Sequence, residues 1–582
     1  MSTMRKSPRK TDNSTVAMLS RPSVGIDLGT STSSIAILDA DGVPHLVADA
    51  AGDRVVPSAV LVADSGEMLV GRAAQLRAAQ DPDLVAVEIK RSMGTGETLR
   101  LGKKVLFPEE IAAAILRHLR AAATAELGRD FEDVVISVPA RFENAAREAT
   151  RKAASLAGLH TLRLVNEPTA AALAYGREHL DERARILVFD FGGGTLDVTI
   201  LEMFEGILDV RTSVGDDRLG GKDIDEMLAG HLRERFRAAH GRRLPPPSKD
   251  RGLARRLKAE AERIKIALSD HESVAIEMPD CDAGDPLEGE ILRESLEAML
   301  EETLMRAMAT VNDALARARL KWTDIDVVLP VGGSSRIPLI RRALEYSSGK
   351  DLARTRLEPE EAVALGAALA AGIELDHVRK EARELMVLDV SPHRLGIATI
   401  KRVGDQQFVD DYFSELVPKD AKLPAINRRE YQTLSDGDGP IGIRIFEAVG
   451  DTNLCRDHRL IAEMNLRALA ADARNESVRV EFRYTLDGTL EVGAGYVSAP
   501  MVRVEGAFAV DGAAENVWKS KPLAPSAAPL VEQAERAATV AHEAATVLQE
   551  AIEMVKLAVL RDDEEELRRR MDTLTDLVIE NA

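Results

Sequence analysis

The chain has 582 residues, which is more than a single hydrophobic core can organise, so we expect three to four domains. Its net charge of −20 disfavours nucleic acid or an anionic membrane as the main partner. Only two cysteines occur, Cys281 and Cys455, outside any CxxC pattern. This disfavours a disulfide framework and a structural zinc site, and it fits a reducing, cytoplasmic compartment. No segment approaches the roughly 20 apolar residues that span a bilayer.

The first long part of the chain has the pattern of an α/β domain. The first 20 residues are polar and basic, without the apolar core of a secretory signal, and predict a disordered tail over 1–21. From Val24 to about Ile373, short apolar runs that end in glycine alternate with helical patterns. "ARILVFDF" and "DVVLPVGG" are typical of buried strands, whereas "PEEIAAAILRHLRAAATAEL" and "RLKAEAERIKIALSD" predict helices.

The pattern then changes twice. A charged stretch, "ELDHVRKEARE", precedes the four-residue apolar island "LMVL". From about 391 to 508, apolar residues alternate with polar ones, as in Ile441–Ile445 and Val478–Phe482, which predicts antiparallel strands. "KSKPLAPSAAP" is a linker, and apolar residues beyond Pro529 recur at three or four positions, which predicts a helical tail.

Three glycine turns carry the chemistry. The first, at Asp27–Thr30, and the second, at Asp190–Asp197, each join two strands, and the third, at Gly332–Gly333, precedes a helix. Glycine lets main-chain N–H groups converge on an anion, while threonine adds a hydroxyl. The aspartate that ends each first strand can hold a hydrated divalent cation or orient a water. Two such turns that face each other would hold a polyphosphate from both sides.

Two other nucleotide-binding classes are excluded by the same sequence. No GxxxxGK[ST] motif occurs, which excludes a P-loop NTPase. No GxGxxG opens a helix after a strand, which excludes a dinucleotide-binding fold.

A series of motifs resembles the 70-kDa heat-shock protein family, the DnaK-like chaperones, and marks the chain as a divergent bacterial-type member. The motifs are "GIDLGTSTS", "VVISVPARFENAAREATRKAASLAG", "LVNEPTAAALAYG", "DFGGGTLDVTI", "LGGKDID", "VGGSSRIP" and "EPEEAVALGAALAAG". They occur in the family's order over residues 24–373, and the resemblance continues through "ELMVLD" and "SPHRLGI" before it thins.

The resemblance implies a multidomain fold. An α/β actin-like ATPase domain, with two lobes that carry related β-hairpin phosphate turns, would span 22–378, and a linker would span 379–390. An antiparallel β-sandwich that binds peptide would span 391–510, followed by a linker at 511–528 and a short α-helical lid at 529–582.

The resemblance also implies site residues for ATP hydrolysis. The catalytic set would be Lys90, Asp27, Glu167, Asp190, Thr195 and Asp197. Asp27, Glu167 and Asp190 would organise the waters of a bound Mg²⁺, and Asp197 would orient the attacking water or a K⁺ ion. ATP or ADP would be held by Gly29, Thr30, Ser31, Gly192, Gly193, Gly194, Thr195, Gly220, Gly221, Glu262, Lys265, Ser269, Gly332, Gly333, Ser334 and Arg336.

Residues for coupling and partners follow from the same resemblance. Pro139 and Arg147 match a relay towards the linker, and Arg163, Asn166 and Asp389 match contacts with a J-domain co-chaperone. The linker switch would be Leu385, Met386, Val387 and Leu388, and Ile443 would line the peptide pocket. The implied partners are unfolded or extended polypeptides, a J-domain co-chaperone and a GrpE-like nucleotide exchange factor, with neither nucleic acid nor membrane, and the protein would be a monomer.

Alternatives remain open at this point. Phosphoryl transfer to water needs mainly positioning and charge neutralisation, so a slow, co-chaperone-stimulated ATPase fits the residues. A nucleotide-dependent scaffold for one dedicated partner is an alternative, as is an actin-like small-molecule kinase or filament ATPase. Without the resemblance, Lys90 and the charges of the adenosine helix would be interpreted as ordinary surface side chains. Ile443 would be a core isoleucine and "LMVL" a buried strand.

The sequence departs from the family pattern in four places. "TGETLRLGKKVLF" is shorter than the corresponding family segment, so one ATPase subdomain is trimmed. Lys401 and Arg402 replace small residues near the expected peptide-enclosing loops, and Pro330 interrupts a predicted strand. The tail after Pro529 is short for a full lid, which predicts fast peptide release.

Overall fold

The computed structural model describes residues 21–509, apart from short gaps, and scattered residues beyond 509. The gaps are 40, 64, 79, 143, 178, 180–182, 205–206, 217, 353–356, 378–385, 389, 392, 404–406, 434–439, 449–451, 468–475 and 486–488. The predicted N-terminal tail and most of the predicted helical lid lie outside the described residues. None of the described helices is long and apolar enough to cross a membrane.

The described chain forms two compact units. The first contains residues up to Arg394 together with 417–425 and 484–488, and the second contains the rest. The strands of the first unit are β1 Val24–Leu28, β2 Thr32–Leu38, β3 Pro44–Leu46, β4 Val56–Pro57, β5 Val60–Val62, β6 Met68–Val70, β7 Val85–Ala86, β8 Leu99–Leu101, β9 Lys104–Leu106, β10 Asp133–Val138, β11 His160–Asn166, β12 Ala184–Phe191, β13 Leu196–Phe204, β14 Ile207–Asp216, β15 Ser273–Ala275, β16 Met278–Asp282, β17 Asp285–Leu287, β18 Glu290–Leu292, β19 Val327–Val331 and β20 Met386–Leu388. Its helices are α1 Arg72–Arg77, α2 Pro108–Leu127, α3 Asn144–Leu156, α4 Glu167–Gly176, α5 Gly221–His240, α6 Arg251–Ala267, α7 Arg293–Met299, α8 Glu301–Ala318, α9 Pro338–Ser348 and α10 Ala362–Glu374.

The first unit is built on two mixed sheets with the same plan. In one sheet β1, β2 and β3 form an antiparallel meander, and β10 and β11 extend it in parallel on the other side of β1. In the other sheet β12, β13 and β14 form the meander, and β19 lies parallel to β12. Each first turn of a meander is one of the two glycine turns, so both turns occupy equivalent places in their sheets.

Helix α10 packs tightly against the first sheet and its neighbouring helix. A Cβ atom on Gly25 of β1 would lie 2.0 Å from the Ala368 backbone nitrogen, and one on Gly366 would lie 1.7 Å from the Ala170 carbonyl oxygen. Only glycine leaves room for these backbone approaches. The alanine-rich sequence of α10, which is buried over most of its length, follows from the same packing.

The strands and helices predicted from apolar patterns are confirmed in the first unit. "ARILVFDF" is β12 and "PEEIAAAILRHLRAAATAEL" is α2. Pro330 lies in β19, which is the edge strand of its sheet and has a neighbouring strand on one side only. On the open side no ladder hydrogen bond is lost when the backbone N–H is missing. The shortened segment after Lys90 folds as the β8–β9 hairpin.

The second unit consists of two four-stranded sheets among the described residues. Its strands are β21 Leu395–Val403, β22 Gln407–Val417, β23 Ala425–Gln432, β24 Ile441–Glu447, β25 Arg459–Leu466, β26 Ser477–Tyr484, β27 Thr489–Tyr496 and β28 Arg503–Ala509. The sheet orders are β22-β21-β24-β25 and β23-β26-β27-β28, and β24 runs antiparallel to both neighbours. The strands predicted at Ile441–Ile445 and Val478–Phe482 are confirmed as β24 and β26.

Candidate functional site

The two glycine turns touch each other. In the strand ladder of the first meander Asp27 lies opposite Ser34, and in that of the second Asp190 lies opposite Asp197. One further residue pair follows in each ladder, so each turn begins one residue after its aspartate. A Cβ atom on Gly193 would lie 2.0 Å from the Ser31 Oγ, which is closer than any side chain tolerates. Bare glycine backbone is therefore what allows the turns to oppose one another.

The third glycine loop and the start of α5 close around the second turn. Ser334 Oγ donates to the Gly192 carbonyl at 2.9 Å, and the Gly221 N–H donates to the same carbonyl at 2.9 Å. A Cβ atom on Gly220 would lie 2.6 Å from the Gly193 carbonyl oxygen. Gly332, with a φ of 77°, lies against the Phe191 carbonyl. The structure thus brings together all the predicted glycine motifs.

A lysine and four carboxylates lie close together beside the two glycine turns. Lys90 is 6% exposed and forms a short ion pair with Glu167 at the start of α4. Asp27 accepts a 2.7 Å hydrogen bond from Ser137 Oγ, and Asp190 and Asp197 face each other across the second meander. The predicted catalytic carboxylates and the predicted lysine therefore lie in one buried cluster.

The cluster shifts the titration of its members. Burial, followed by the negative charge of Glu167, raises the pKa of Asp27 to about 6. Burial also raises the pKa of Asp190 well above its usual value, and the charges of Glu167, Asp197 and Asp27 add to this. Burial alone would lower the pKa of Lys90, but the carboxylates of Glu167 and Asp27 outweigh it and raise that pKa. The single positive charge of Lys90 thus compensates the negative charge of the carboxylates only in part. The cluster therefore favours the binding of a further cation.

The donor set fits a hydrated Mg²⁺ ion. Carboxylate oxygens are the ligands that Mg²⁺ prefers, and this ion keeps several of its waters in proteins. Among the described residues, no three or more Asp, Glu, His or Cys side chains converge closely enough to ligate a metal directly. Asp27, Glu167 and Asp190 therefore suit contacts with metal-bound water rather than a cage of direct ligands.

Helix α6 places two of its predicted adenosine residues, Glu262 and Lys265, beside the start of α5. Lys265 is 8% exposed, donates to the Gly221 carbonyl at 3.0 Å and pairs with the buried Asp225 at 2.6 Å. Glu262 pairs with Lys222 at 2.7 Å. Arg336 is half-exposed and pairs with Glu358, while the Ser269 carbonyl accepts a bond from Arg293.

Of the two predicted relay residues, Arg147 contacts the residue that precedes Glu167. Arg147, which is buried, donates to the Asn166 Oδ1 at 2.6 Å, and Asn166 directly precedes Glu167. Arg147 also contacts the carbonyl of Ala140, the residue after Pro139, at 3.4 Å. Arg163 pairs with Glu374 of α10 at 3.4 Å.

The linker island is a strand in the second sheet. Met386, Val387 and Leu388 form β20, which pairs in parallel with β14 at the sheet edge. Lys422 contacts Asp209 and the Val210 carbonyl on that same strand β14. The predicted residues Leu385 and Asp389 lie outside the described residues.

In the second unit, Ile443 and Lys401 are both placed. Ile443 is 5% exposed on β24 and pairs with Met464 of β25. Lys401 lies over the Tyr412 ring at 4.2 Å and donates to the Tyr412 hydroxyl at 2.9 Å. The side chain of Arg402 lies outside the described residues.

Several residues that contact the predicted site residues were not predicted from the sequence. Arg91 donates to the Gly194 carbonyl at 2.7 Å and to Asp223 at 3.1 Å, and it follows Lys90 directly. Ser137, Lys222 and Asp225 also contact predicted site residues. Their only sequence signal was their position inside or beside quoted motifs, because their partners are distant in the chain.

Comparisons with known proteins agree with this geometry. The family model described as Hsp70 protein matches residues 23–100 and 95–575. Curated relatives named Chaperone protein DnaK, from Thermotoga petrophila, Thermotoga maritima and Thermotoga neapolitana, are each 35% identical over 477 residues. Each alignment covers 81% of this chain and 78% of the relative. The opposed glycine turns, the carboxylate cluster and these matches together establish that the chain belongs to the Hsp70 family.

Proposed function

We propose that this protein is an ATP-dependent molecular chaperone that binds extended apolar segments of unfolded proteins. ATP hydrolysis and exchange switch its peptide affinity. One observation carries the proposal: in a chain of the Hsp70 family, Lys90 and four carboxylates lie together beside two opposed glycine turns. The related DnaK chaperones support the same activity, and they favour neither a dedicated scaffold nor an actin-like kinase or filament ATPase.

The catalytic residues act by positioning and by charge. Lys90 lies in the cluster as a buried cation and would neutralise charge on the γ-phosphate. Thr195, in the second turn, offers a hydroxyl to the phosphates, and Asp197 orients the attacking water or a K⁺ ion. Asp27, Glu167 and Asp190 would hold the waters of Mg²⁺, which when bound supplies charge neutralisation at the phosphate oxygens. The raised pKa of Lys90 keeps it protonated, and carboxylates are weak bases, so none of these residues abstracts a proton from water strongly and hydrolysis is expected to be slow without a co-chaperone.

The remaining contacts would hold the nucleotide from two sides. The two meander turns, through Gly29, Thr30, Ser31 and Gly192–Thr195, take the phosphates, and Gly220 and Gly221 support the second turn. Glu262, Lys265 and Ser269 on α6, opposite Gly332, Gly333, Ser334 and Arg336, take the adenosine. This assignment is supported by the contact of Lys265 with Gly221 and of Ser334 with Gly192.

The domain layout follows the family. Residues 22–378 would be the actin-like ATPase domain, 379–390 the linker, 391–510 the β peptide-binding domain and 529–582 the helical lid. The β20 strand supports a switch, because its pairing with β14 gives the apolar linker segment a docking place on the ATPase domain. Ile443, a buried residue of β24 opposite Met464 of β25, would line the peptide pocket.

Partners and location follow from the same family. A J-domain co-chaperone would contact Arg163, Asn166 and Asp389, with Pro139 and Arg147 as the relay, and a GrpE-like factor would exchange nucleotide. The cytoplasmic location and the monomeric state stay predictions from the sequence.

The proposal is tested by nucleotide-dependent peptide binding. We expect a fluorescent apolar peptide to bind more weakly with ATP than with ADP, and the purified protein to hydrolyse ATP slowly. Thr195→Ala should keep peptide binding with ADP but lower the hydrolysis rate at least tenfold. Equal peptide affinity in both nucleotides, with hydrolysis intact, would contradict the chaperone cycle.

A further inference from the structure

Five charged residues recur on one face of α6 at spacings of three or four. In chain order they are Arg251, Arg255, Lys258, Glu262 and Lys265. Residues at these spacings lie along one helix face. The last two contact the start of α5, whereas the first three contact the segment 78–88, which precedes Lys90. One helix therefore touches both the predicted adenosine side and the chain that carries the predicted phosphate lysine.

The contacts to segment 78–88 become closer to the site along the helix. Arg251 pairs with Asp83 at 2.5 Å, and both side chains are more than 60% exposed. Arg255 donates to the Val85 carbonyl at 3.0 Å and to the Ala78 carbonyl at 3.3 Å. Lys258 donates to Glu88 Oε1 at 3.0 Å, and the Glu88 side chain is only 20% exposed.

Glu88 has an unusual backbone. Its φ of 58° and ψ of 27° are left-handed, a conformation that a residue with a Cβ atom adopts only when its surroundings require it. Glu88 immediately precedes the short 3-10 helix Ile89–Ser92, which contains Lys90. The backbone at Glu88 therefore sets the direction in which Lys90 enters the carboxylate cluster.

We propose that Glu88, held by Lys258 of α6, is a positioning residue for Lys90. The ion pair fixes the left-handed turn that aims the lysine at the γ-phosphate. It also joins the position of Lys90 to the helix that carries Glu262 and Lys265, so closure of α6 over adenosine and alignment of the lysine occur together. The inference rests on the proposed function of Lys90 in hydrolysis.

A simple structural role predicts a different result. An ion pair that only holds the cleft shut would change the release rate of the nucleotide and leave the chemical step unchanged. A positioning pair instead changes the rate of hydrolysis in the bound complex, because a misplacement of about 1 Å costs about 100-fold. Single-turnover hydrolysis and nucleotide release therefore separate the two roles.

The test uses the full-length protein with Glu88→Gln, Lys258→Met and the double variant. We expect each single variant to slow single-turnover ATP hydrolysis about tenfold, with the nucleotide Kd within threefold of wild type. The double variant should be no slower than Glu88→Gln alone, because that variant already removes the pair with Lys258 together with the longer, 4.0 Å pair between Glu88 and Arg91. Lys258→Arg keeps the charge and should restore most of the rate, which also guards against variants that merely misfold.

Two further variants make the outcomes distinguishable. Arg251→Met removes the exposed pair on the same helix and is the matched control, expected to behave as wild type. Lys90→Ala should abolish hydrolysis. If Lys90→Ala hydrolyses normally, the proposed role of Lys90 is wrong and the inference falls with it. If Lys90→Ala is inactive but the Glu88 and Lys258 variants hydrolyse at the wild-type rate, or only release nucleotide faster, the inference alone is refuted.

Discussion

Substituting Gly220 by alanine tests whether the second glycine turn must lie against the start of α5. Gly220 has φ −154° and ψ 177°, extended backbone that any residue adopts, so the effect of a methyl group is purely steric. The added Cβ would lie 2.6 Å from the Gly193 carbonyl oxygen, 2.6 Å from the Gly194 carbonyl carbon and 2.7 Å from the Gly193 carbonyl carbon. All three are backbone atoms, so no flexible side chain can move away.

The magnitude follows from the displacement that these distances require. Ordinary contacts begin at 3.4 Å, so the turn and the helix start must separate by about 0.8 Å. Overpacking of this kind costs about 1–3 kcal/mol. If nucleotide binding requires the undistorted turn, that energy appears as roughly 5- to 150-fold weaker ATP affinity.

The assay is equilibrium binding of a fluorescent ATP analogue, together with thermal unfolding. Gly230→Ala is the matched control: Gly230 lies in the same helix, and its added Cβ would have no neighbour within 4 Å. Gly230 is exposed in the middle of this helix, where replacing glycine by alanine raises the free energy of unfolding by about 0.5–1 kcal/mol. This variant should therefore melt at a slightly higher temperature and bind ATP as wild type does. Gly220→Ala with ATP affinity within twofold of wild type would refute the reasoning.

Three further predictions concern the carboxylate cluster, the linker and the peptide pocket. The folded pKa of Asp27, about 6 against 3.8, lies above its unfolded value, so the folded state holds a proton that the unfolded state releases. The free energy of unfolding of the nucleotide-free protein should therefore fall by up to about 3 kcal/mol between pH 4 and pH 6 because of this group, and urea titrations of Asp27→Asn should lack that contribution. Val387→Pro removes a strand N–H from β20 and should abolish the acceleration of peptide release by ATP while ATP affinity stays within twofold. Ile443→Ala should weaken apolar-peptide binding more than tenfold in fluorescence anisotropy, whereas Ile426→Ala, at a 52% exposed position, should not.

Sequence patterns predict those parts of the fold that are determined by residues close together in the chain. The strand β12 and the glycine turn after it were predictable, because apolar runs ending in glycine leave few other structures. The opposed arrangement of the turns followed from their duplicated plan, and the equivalent places of the two meanders explain why.

The parts that were not predictable depend on residues distant in the chain. Lys90 and Lys265 have the sequence surroundings of surface lysines, yet both are less than 10% exposed, because carboxylates and carbonyls from other segments meet them. Ser137 and Asp225 gave no separate signal for the same reason. The left-handed turn at Glu88 is likewise fixed by tertiary contacts and is not indicated by its own residue type.

We expect nucleotide bound between the glycine turns to control the affinity for peptide bound elsewhere in the same chain. The most direct test is stopped-flow release of a prebound fluorescent apolar peptide on addition of ATP or ADP, in wild type and in Thr195→Ala. We predict that ATP, and not ADP, accelerates release from the wild-type protein at least tenfold. Release that proceeds at the same rate with ATP, with ADP and without nucleotide, in a protein shown to bind both ATP and peptide, would contradict the claim.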